Sequence, residues 1–174
     1  METKKRMYDK DFYQNNRNEA KLKSVDIVLA EVIKIIPQSH SAVDFGCATG
    51  TWLKGLEKYG ITDIRGYDGK WVDKSKLLIP KECFFEVDFD KPIEIDRKFD
   101  LAISIEVAEH LQESSADSFI ENLTKAADFV LFSAAIPYQG GYRGGANHIN
   151  EQWPGYWCDK FNRFGYVCVD SIRK

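Results

Sequence analysis

Long hydrophobic runs are missing from this chain. No stretch approaches the roughly 20 apolar residues that a bilayer-spanning helix needs. Met1 to Lys10 is polar and charged where a secretory leader carries an apolar centre, so the expected setting is the cytoplasm. Paired cysteines are missing too. Cys47, Cys83, Cys158 and Cys168 form no CxxC pair and mostly sit beside apolar residues, which argues for reduced core thiols over a disulfide framework or a metal centre; no metal is expected. Only five prolines occur in 174 residues, and neither a repeat nor a low-complexity segment appears, which sets disorder aside. Excess basic charge is absent as well. A net charge of -3 creates no field for gathering DNA or RNA, and the basic clusters at Lys4 to Arg6 and at Lys21 with Lys23 read as solvated surface. What remains is ordinary globular composition, 44% hydrophobic and 29% charged. A chain of this length is expected to form one domain, residues 1–174, burying about two-thirds of its unfolded surface.

The most informative segment is Ala42-Val43-Asp44-Phe45-Gly46-Cys47-Ala48-Thr49-Gly50. Val43 and Phe45, bounded by glycines, suit a buried parallel strand, and Trp52, Leu53, Leu56 and Tyr59 recur at helical spacing after it. The glycines therefore lie between a strand and a helix. There they permit positive φ and close backbone approach, next to the unpaired N–H groups of a helix start. The rest of the chain alternates in the same way. Residues 1–40 form a leading helical segment with Val25, Val28, Leu29, Val32 and Ile36 on one face, closed by Pro37. Strands are expected at Asp63 to Tyr67, Cys83 to Val87, Phe99 to Ile105, Phe129 to Ala135 and Tyr166 to Ser171. Ser114 or Ser115 is placed to cap a helix bearing Phe119, Ile120 and Leu123, and Asn150 to cap one bearing Trp153, Tyr156, Trp157 and Phe161, ended by Gly165. The fold class that follows is a doubly wound, mostly parallel α/β sheet. Residues 137–150, rich in glycine, should form an active-site loop.

In such sheets ligands bind outside the carboxyl ends of the strands, and Asp44, Asp68 and Asp88 all fall at those ends. An Asp at a strand end also serves as a turn or cap residue; three in register with a glycine loop point to a ligand. The spacing D-x-G-x-A-x-G over Asp44, Gly46, Ala48 and Gly50 resembles the first motif of class I S-adenosylmethionine-dependent methyltransferases. It does not match the G-x-G-x-x-G dinucleotide fingerprint. Ala48 departs from the glycine more usual at the middle of that motif. The resemblance implies that Asp44, Gly46, Cys47, Ala48, Gly50 and Trp52 line the methionine side of S-adenosylmethionine. Asp68 and Gly69 would then hold the ribose, Asp88 and Phe89 the adenine, and Glu106 the methionine end again, with S-adenosylhomocysteine as product. Trp52 and Trp71 read first as core, with Trp71 also placed to wall the adenosine site.

Two further segments carry the resemblance along nearly the whole chain. Glu106-Val107-Ala108-Glu109-His110-Leu111 is similar to the EVAEHL motif of many small-molecule methyltransferases. Gln139-Gly140-Gly141 followed by His148-Ile149-Asn150-Glu151-Gln152-Trp153-Pro154-Gly155-Tyr156-Trp157 is similar to the HxNEQWPxYW segment of a bacterial branch of methyltransferase-domain proteins, with Phe12-Tyr13 and Trp71-Val72-Asp73 in support. On that resemblance the activity is methyl transfer to oxygen or nitrogen of a small molecule, a sugar or sugar-linked metabolite being the guess, with no nucleic acid or membrane as partner. His148 is the first candidate for a catalytic base, its imidazole suited to taking a hydroxyl proton near neutral pH. His110 and Glu109 come next. A capping role for His148 and a solvated first helical turn for Glu109 and His110 stand beside these readings. His40 precedes the first strand, at the wrong end of the sheet. Family members continue past the sixth strand into a seventh, antiparallel one, for which no sequence remains here, so an exposed sheet edge and a homodimer are expectations. The competing classes are a cofactor-binding or partner protein without transfer activity and, behind it, an NAD-dependent oxidoreductase.

Overall fold

The computed structural model of the chain describes residues 19–91, 93–139 and 148–172. Phe12, Tyr13 and the loop from Gly140 to Asn147 lie outside them. The fold is a Rossmann-like α/β fold with a five-stranded sheet in the order β3-β2-β1-β4-β5. The strands are β1 (Ser41–Phe45), β2 (Asp63–Asp68), β3 (Phe84–Glu86), β4 (Leu101–Ile105) and β5 (Val130–Ser133), and the helices are α1 (Glu19–Ile35), α2 (Thr51–Leu56), α3 (Ala116–Ala126) and α4 (Pro154–Arg163). The chain divides into two compact units, Met1–Val87 and Asp88–Lys174. No helix among the described residues is long and apolar enough to cross a membrane.

In the first unit β1 and β2 pair in parallel, with Asp44 opposite Gly66 and Phe45 opposite Tyr67, and β2 pairs in parallel with β3. Parallel strands covered on both sides should be apolar throughout. Ala42, Val43, Phe45 and Tyr67 are accordingly buried. α1 carries its core residues Val25, Leu29 and Val32 at the expected intervals, with Ile36 just beyond its end. α2 continues into a 3-10 turn at Glu57–Tyr59 and stops at Gly60, whose φ of 78° places it in the left-handed region that ends helices. Burying Leu29, Leu53 and Leu56 completely contributes about 1.5–3 kcal/mol each. The two helices touch at Gly55, where an added Cβ would lie 2.7 Å from Val25 Cγ1 and 2.9 Å from Leu29 Cδ1.

In the second unit β4 and β5 pair in parallel, with Ile105 opposite Ser133. α3 buries Phe119, Ile120 and Leu123, as its spacing predicts. Ser115 stands at its N-cap position but makes no capping bond. Its hydroxyl donates instead to Asp90 Oδ1 at 2.9 Å. Trp157 and Phe161 of α4 are buried, with ring centroids 5.4 and 5.2 Å from Phe132 of β5. The aromatic helix is thus core.

Two expectations are corrected here. Asn150 does not cap α4: Trp153 holds the cap position and Pro154 opens the helix, where its missing N–H and fixed φ cost nothing. Residues 166–171 form no strand. Their alternating Val167 and Val169 are exposed, and a strand needs a neighbour's hydrogen-bond ladder as well as β-branched residues. Tyr166 instead anchors the segment by donating its hydroxyl to the carbonyls of Thr124, at 2.9 Å, and Ala127.

Gly55→Ala decides between two opposing effects of known size. Helix propensity favours Ala by about 1 kcal/mol, whereas overpacking a tight contact costs roughly 1–3 kcal/mol. The expected outcome is a net loss and a Tm lower by a few degrees in a thermal melt; a higher Tm would mean that α1 yields freely.

Candidate functional site

The turn after β1 is strapped to β2. The amides of Gly46 and Cys47 both donate to the Tyr67 carbonyl, at 2.8 and 3.1 Å, and the Gly50 amide donates to the Cys47 carbonyl at 2.7 Å. Gly46 and Gly50 have φ of 94° and 86°. Ala48, between them, has φ 49°, a left-handed conformation that costs an L-residue about 1–2 kcal/mol. The residue that departs from the glycine pattern thus adopts the geometry a glycine would favour. Its amide donates to Asp68 Oδ2 at 2.7 Å, while Asp68 Oδ1 accepts from the Gly69 amide at 2.6 Å. Asp68, at the end of β2, therefore holds two turns at once.

Asp44 and Asp68 are both buried. Asp44 is 1% exposed, and its Oδ2 has no hydrogen-bond partner among the described residues; Thr49 Oγ1 is likewise buried without one. Burial pushes the Asp44 carboxyl well above its ordinary value, and the charge of Asp68 pushes it further. Burial also raises Asp68, to about 6, against the opposing effect of the Ala48 and Gly69 amides and the Trp71 side chain. Cys47 is buried and its thiol is pushed up by burial and by the same two acids, so it is a packing residue with little thiolate character. Trp52 is half-buried. The Trp71 ring lies directly on Gly69, and Ile79 covers Gly50, whose absent Cβ would meet Ile79 Cγ2 at 2.8 Å. Gly66 leaves room for Cys47 Sγ in the same way. Ile79, within the Leu77 to Pro80 segment that shares the family resemblance, and Gly66 in β2 were not among the expected site residues, because only the fold brings them onto the turn.

A second cluster belongs to the second unit. Glu106 follows β4 with φ 57° and accepts from Ser133 Oγ at 2.7 Å. The 3-10 turn Ala108–His110 then turns the Glu109 side chain inward to zero exposure, with neither carboxylate oxygen in hydrogen-bond geometry with a partner among the described residues. Burial pushes this carboxyl up to about 7; the Glu106 charge adds to the shift, and the Glu109 and Ala135 amides partly offset it. The Glu109 carbonyl accepts from the amides of both Ile149 and Asn150, at 2.9 and 3.0 Å. That pair of backbone hydrogen bonds brings His148 beside His110, ring centroids 4.8 Å apart and edge to face. His148 Nδ1 lies 2.8 Å from Glu151 Oε1, and Glu151 Oε2 accepts from the Tyr138 amide at 2.8 Å. Glu109, His110 and His148 are thus brought together as the sequence suggested, and Glu109 is buried where a solvated helical turn was the alternative.

The remaining candidates have local roles. Asp88 Oδ1 accepts from the Asp90 amide at 3.2 Å, and its carboxylate pairs with Lys91, the geometry of a turn-forming Asp. Phe89 is buried edge-on against Phe119, centroids 5.3 Å apart, and so belongs to the core. His40 is exposed ahead of β1. Glu151, the partner of His148, was missed; a carboxylate three residues after a histidine was the available signal.

A family described as "Methyltransferase domain" matches residues 13–133, and the chain belongs to that family. Its fold is shared by S-adenosylmethionine-dependent methyltransferases. A SAM-dependent methyltransferase from Archaeoglobus fulgidus superposes with a TM-score of 0.65 at 14% identity, over 90% of this chain and 74% of that one. The methyltransferase domain of bacterial CtHen1 has a TM-score of 0.62 at 21% identity, over 84% of this chain and 87% of that one. An O-methyltransferase family protein from Burkholderia thailandensis has a TM-score of 0.65 at 10% identity, over 88% of this chain. The chain spans about half of that last protein, 53%. No curated protein matches the chain in sequence.

The raised pKa of Asp68 has a defined sign. Its folded value, about 6, lies above the ordinary value of an unfolded Asp, so its contribution is full below about pH 4 and is lost as pH rises through 6. The difference amounts to on the order of 3 kcal/mol. Asp68→Asn should flatten the dependence of unfolding free energy on pH between 4 and 6.5, measured by urea titration at each pH. An unchanged slope would dissociate Asp68 from it.

Proposed function

We propose that the chain binds S-adenosylmethionine on its glycine turn and transfers the methyl group to a hydroxyl of a small molecule. One observation carries the reading: a buried Asp44 carboxylate near the carboxyl end of β1 with an oxygen unpartnered among the described residues, beside a second buried acid, Asp68, at the end of β2. An uncompensated carboxylate in such surroundings costs several kcal/mol. A cationic ligand removes that cost, and a pyrophosphate adds to it. The residues fit the cofactor in this respect: Asp44 suits its ammonium group, Asp68 retains lone pairs for ribose hydroxyls, and Gly46, Ala48 and Gly50 keep bulk away from the turn. When bound, the cofactor supplies a methyl group activated by a positively charged sulfur.

The chain's own part is positioning, exclusion of water and handling of a proton. With Glu151 on Nδ1, the His148 ring is held in the tautomer that carries its proton there, leaving Nε2 basic. His148 accordingly takes the acceptor's proton, and His110 and Glu109 orient the acceptor. A hydroxyl acceptor requires such a base, whereas a neutral amine does not; this favours oxygen as the acceptor atom. A sugar or sugar-linked metabolite is the substrate class in keeping with the sequence resemblance.

Asp44→Asn should weaken S-adenosylmethionine binding at least about tenfold by calorimetry, with circular dichroism unchanged. Wild-type affinity should tighten as pH rises from 5 to 8, since protons compete with the cofactor's cation for the two acids. Tighter binding of NAD than of S-adenosylmethionine would overturn the reading. His148→Ala should lower turnover of a labelled methyl group while leaving cofactor affinity within about twofold; equal loss of both would sink the base assignment.

A further inference from the structure

The cluster in the second unit has a composition that general base catalysis leaves unexplained. A single histidine suffices for a base, yet two imidazoles and a buried carboxylate converge here. One ligand-type atom from each of Glu109, His110 and His148 lies within 4.8 Å of the others. Both Glu109 oxygens are buried, and neither has a partner in full hydrogen-bond geometry among the described residues, so they keep lone pairs for a ligand. His148 Nδ1 is engaged by Glu151, whose other oxygen is tied to the Tyr138 amide; a carboxylate behind a histidine is the usual support of a metal-bound imidazole and leaves Nε2 with its lone pair forward. The backbone is also held in place. The Ile149 and Asn150 amides fix His148 to the Glu109 carbonyl, and Glu106, which begins the segment, keeps a left-handed φ of 57° of the kind retained near functional centres.

We propose that Glu109, His110 and His148 bind one divalent first-row transition-metal ion. Two histidines and one carboxylate form a facial set that leaves positions open, and donors about 2.1 Å from an ion stand roughly 3–3.5 Å apart, within reach of modest side-chain rotation. Two imidazoles favour manganese, cobalt or zinc over magnesium, which takes mostly oxygen ligands. The expectation of no metal rested on the cysteines, and this ligand set contains none. The site rests on the methyltransferase reading for its role and replaces His148 as the group that handles the acceptor's proton: a hydroxyl coordinated in an open position is acidified and releases its proton to solvent near neutral pH, while the His148 lone pair stays on the ion.

The test is calorimetric titration of the chelator-treated chain with Mn2+, Co2+, Zn2+ and Mg2+, with S-adenosylmethionine affinity measured on the same samples. The expected result is one ion per chain at micromolar or tighter Kd for the transition metals, with Mg2+ at least about tenfold weaker. The Co2+ complex should also show visible absorption bands. His110→Ala and His148→Ala should each weaken binding about 10–100-fold, and Glu151→Gln about tenfold, with cofactor affinity retained as evidence of folding. Should Glu109→Gln fail to fold, the two histidine variants still decide. Sub-stoichiometric binding by the wild type, or unchanged affinity in the double histidine variant, overturns the metal site. Loss of ion binding alone leaves His148 free as the base and the methyltransferase reading standing. Ion binding without cofactor binding would do the reverse.

Discussion

The carboxylate of Asp68 is the constraint on which the first unit depends. Its two oxygens accept from Ala48 and Gly69 amides at 2.7 and 2.6 Å, joining turns that lie 20 residues apart in the chain. Hydrogen bonds to a charged acceptor are each worth roughly 1.5–3 kcal/mol, enough to offset the left-handed backbone of Ala48. Without Asp68 the Ala48 amide would lose its partner, since the bonds to Tyr67 and Cys47 secure only the Gly46, Cys47 and Gly50 amides. The same placement buries Asp68 next to Asp44. Rigidity of the turn and accumulation of negative charge inside it thus have one origin.

The second unit solves a similar problem by other means. Here a backbone carbonyl, that of Glu109, receives two amides from a distant segment. The fixed point is the main chain, so the side chain stays available. Had the carboxylate bound those amides, it would be a cap. Instead the carbonyl takes the structural role, and the side chain is buried close to His110 and His148. Glu151 completes the arrangement by holding both His148 and the Tyr138 amide. The aromatic residues of α4, by contrast, pack against Phe132 and Tyr166, and Lys160 pairs with Asp117 at 2.6 Å, a set of contacts that stabilises the unit without forming a site.

Much of this was legible in the residues. The strand, glycine turn and helix from Ser41 to Tyr59 combine apolar periodicity with turn chemistry, two independent signals that agree. The helix stops at Gly60 and Gly165, with φ of 78° and 82°, follow from the left-handed conformation that glycine adopts without a Cβ penalty. What escaped was set by distance in the sequence. Asn150 carries a capping side chain, yet Pro154 has a stronger preference for the first helical position, and the helix starts there. The run Tyr166-Val167-Cys168-Val169 has strand propensity, which means little without a neighbouring ladder. Phe89 is expected at the adenine beside Asp88, and its ring is buried edge-on against Phe119, a contact that local spacing does not announce. The burial of Glu109 could not be read at all, because helical spacing leaves a charged residue in solvent unless another segment covers it.

Both clusters share a consequence for ligand choice. Each holds a buried carboxylate oxygen without a donor among the described residues, and each therefore carries in the free protein a charge or a proton that water would otherwise accommodate. A ligand that binds only the folded state stabilises it by about 2.7 kcal/mol at a hundred times its Kd, comparable to the electrostatic cost at Asp68 alone. Cations recover that cost directly, whereas anions deepen it. The sulfonium and ammonium groups of S-adenosylmethionine suit the first unit, and a divalent ion suits the second, for the same electrostatic reason. In both clusters the buried acids therefore favour positively charged ligands over anionic ones.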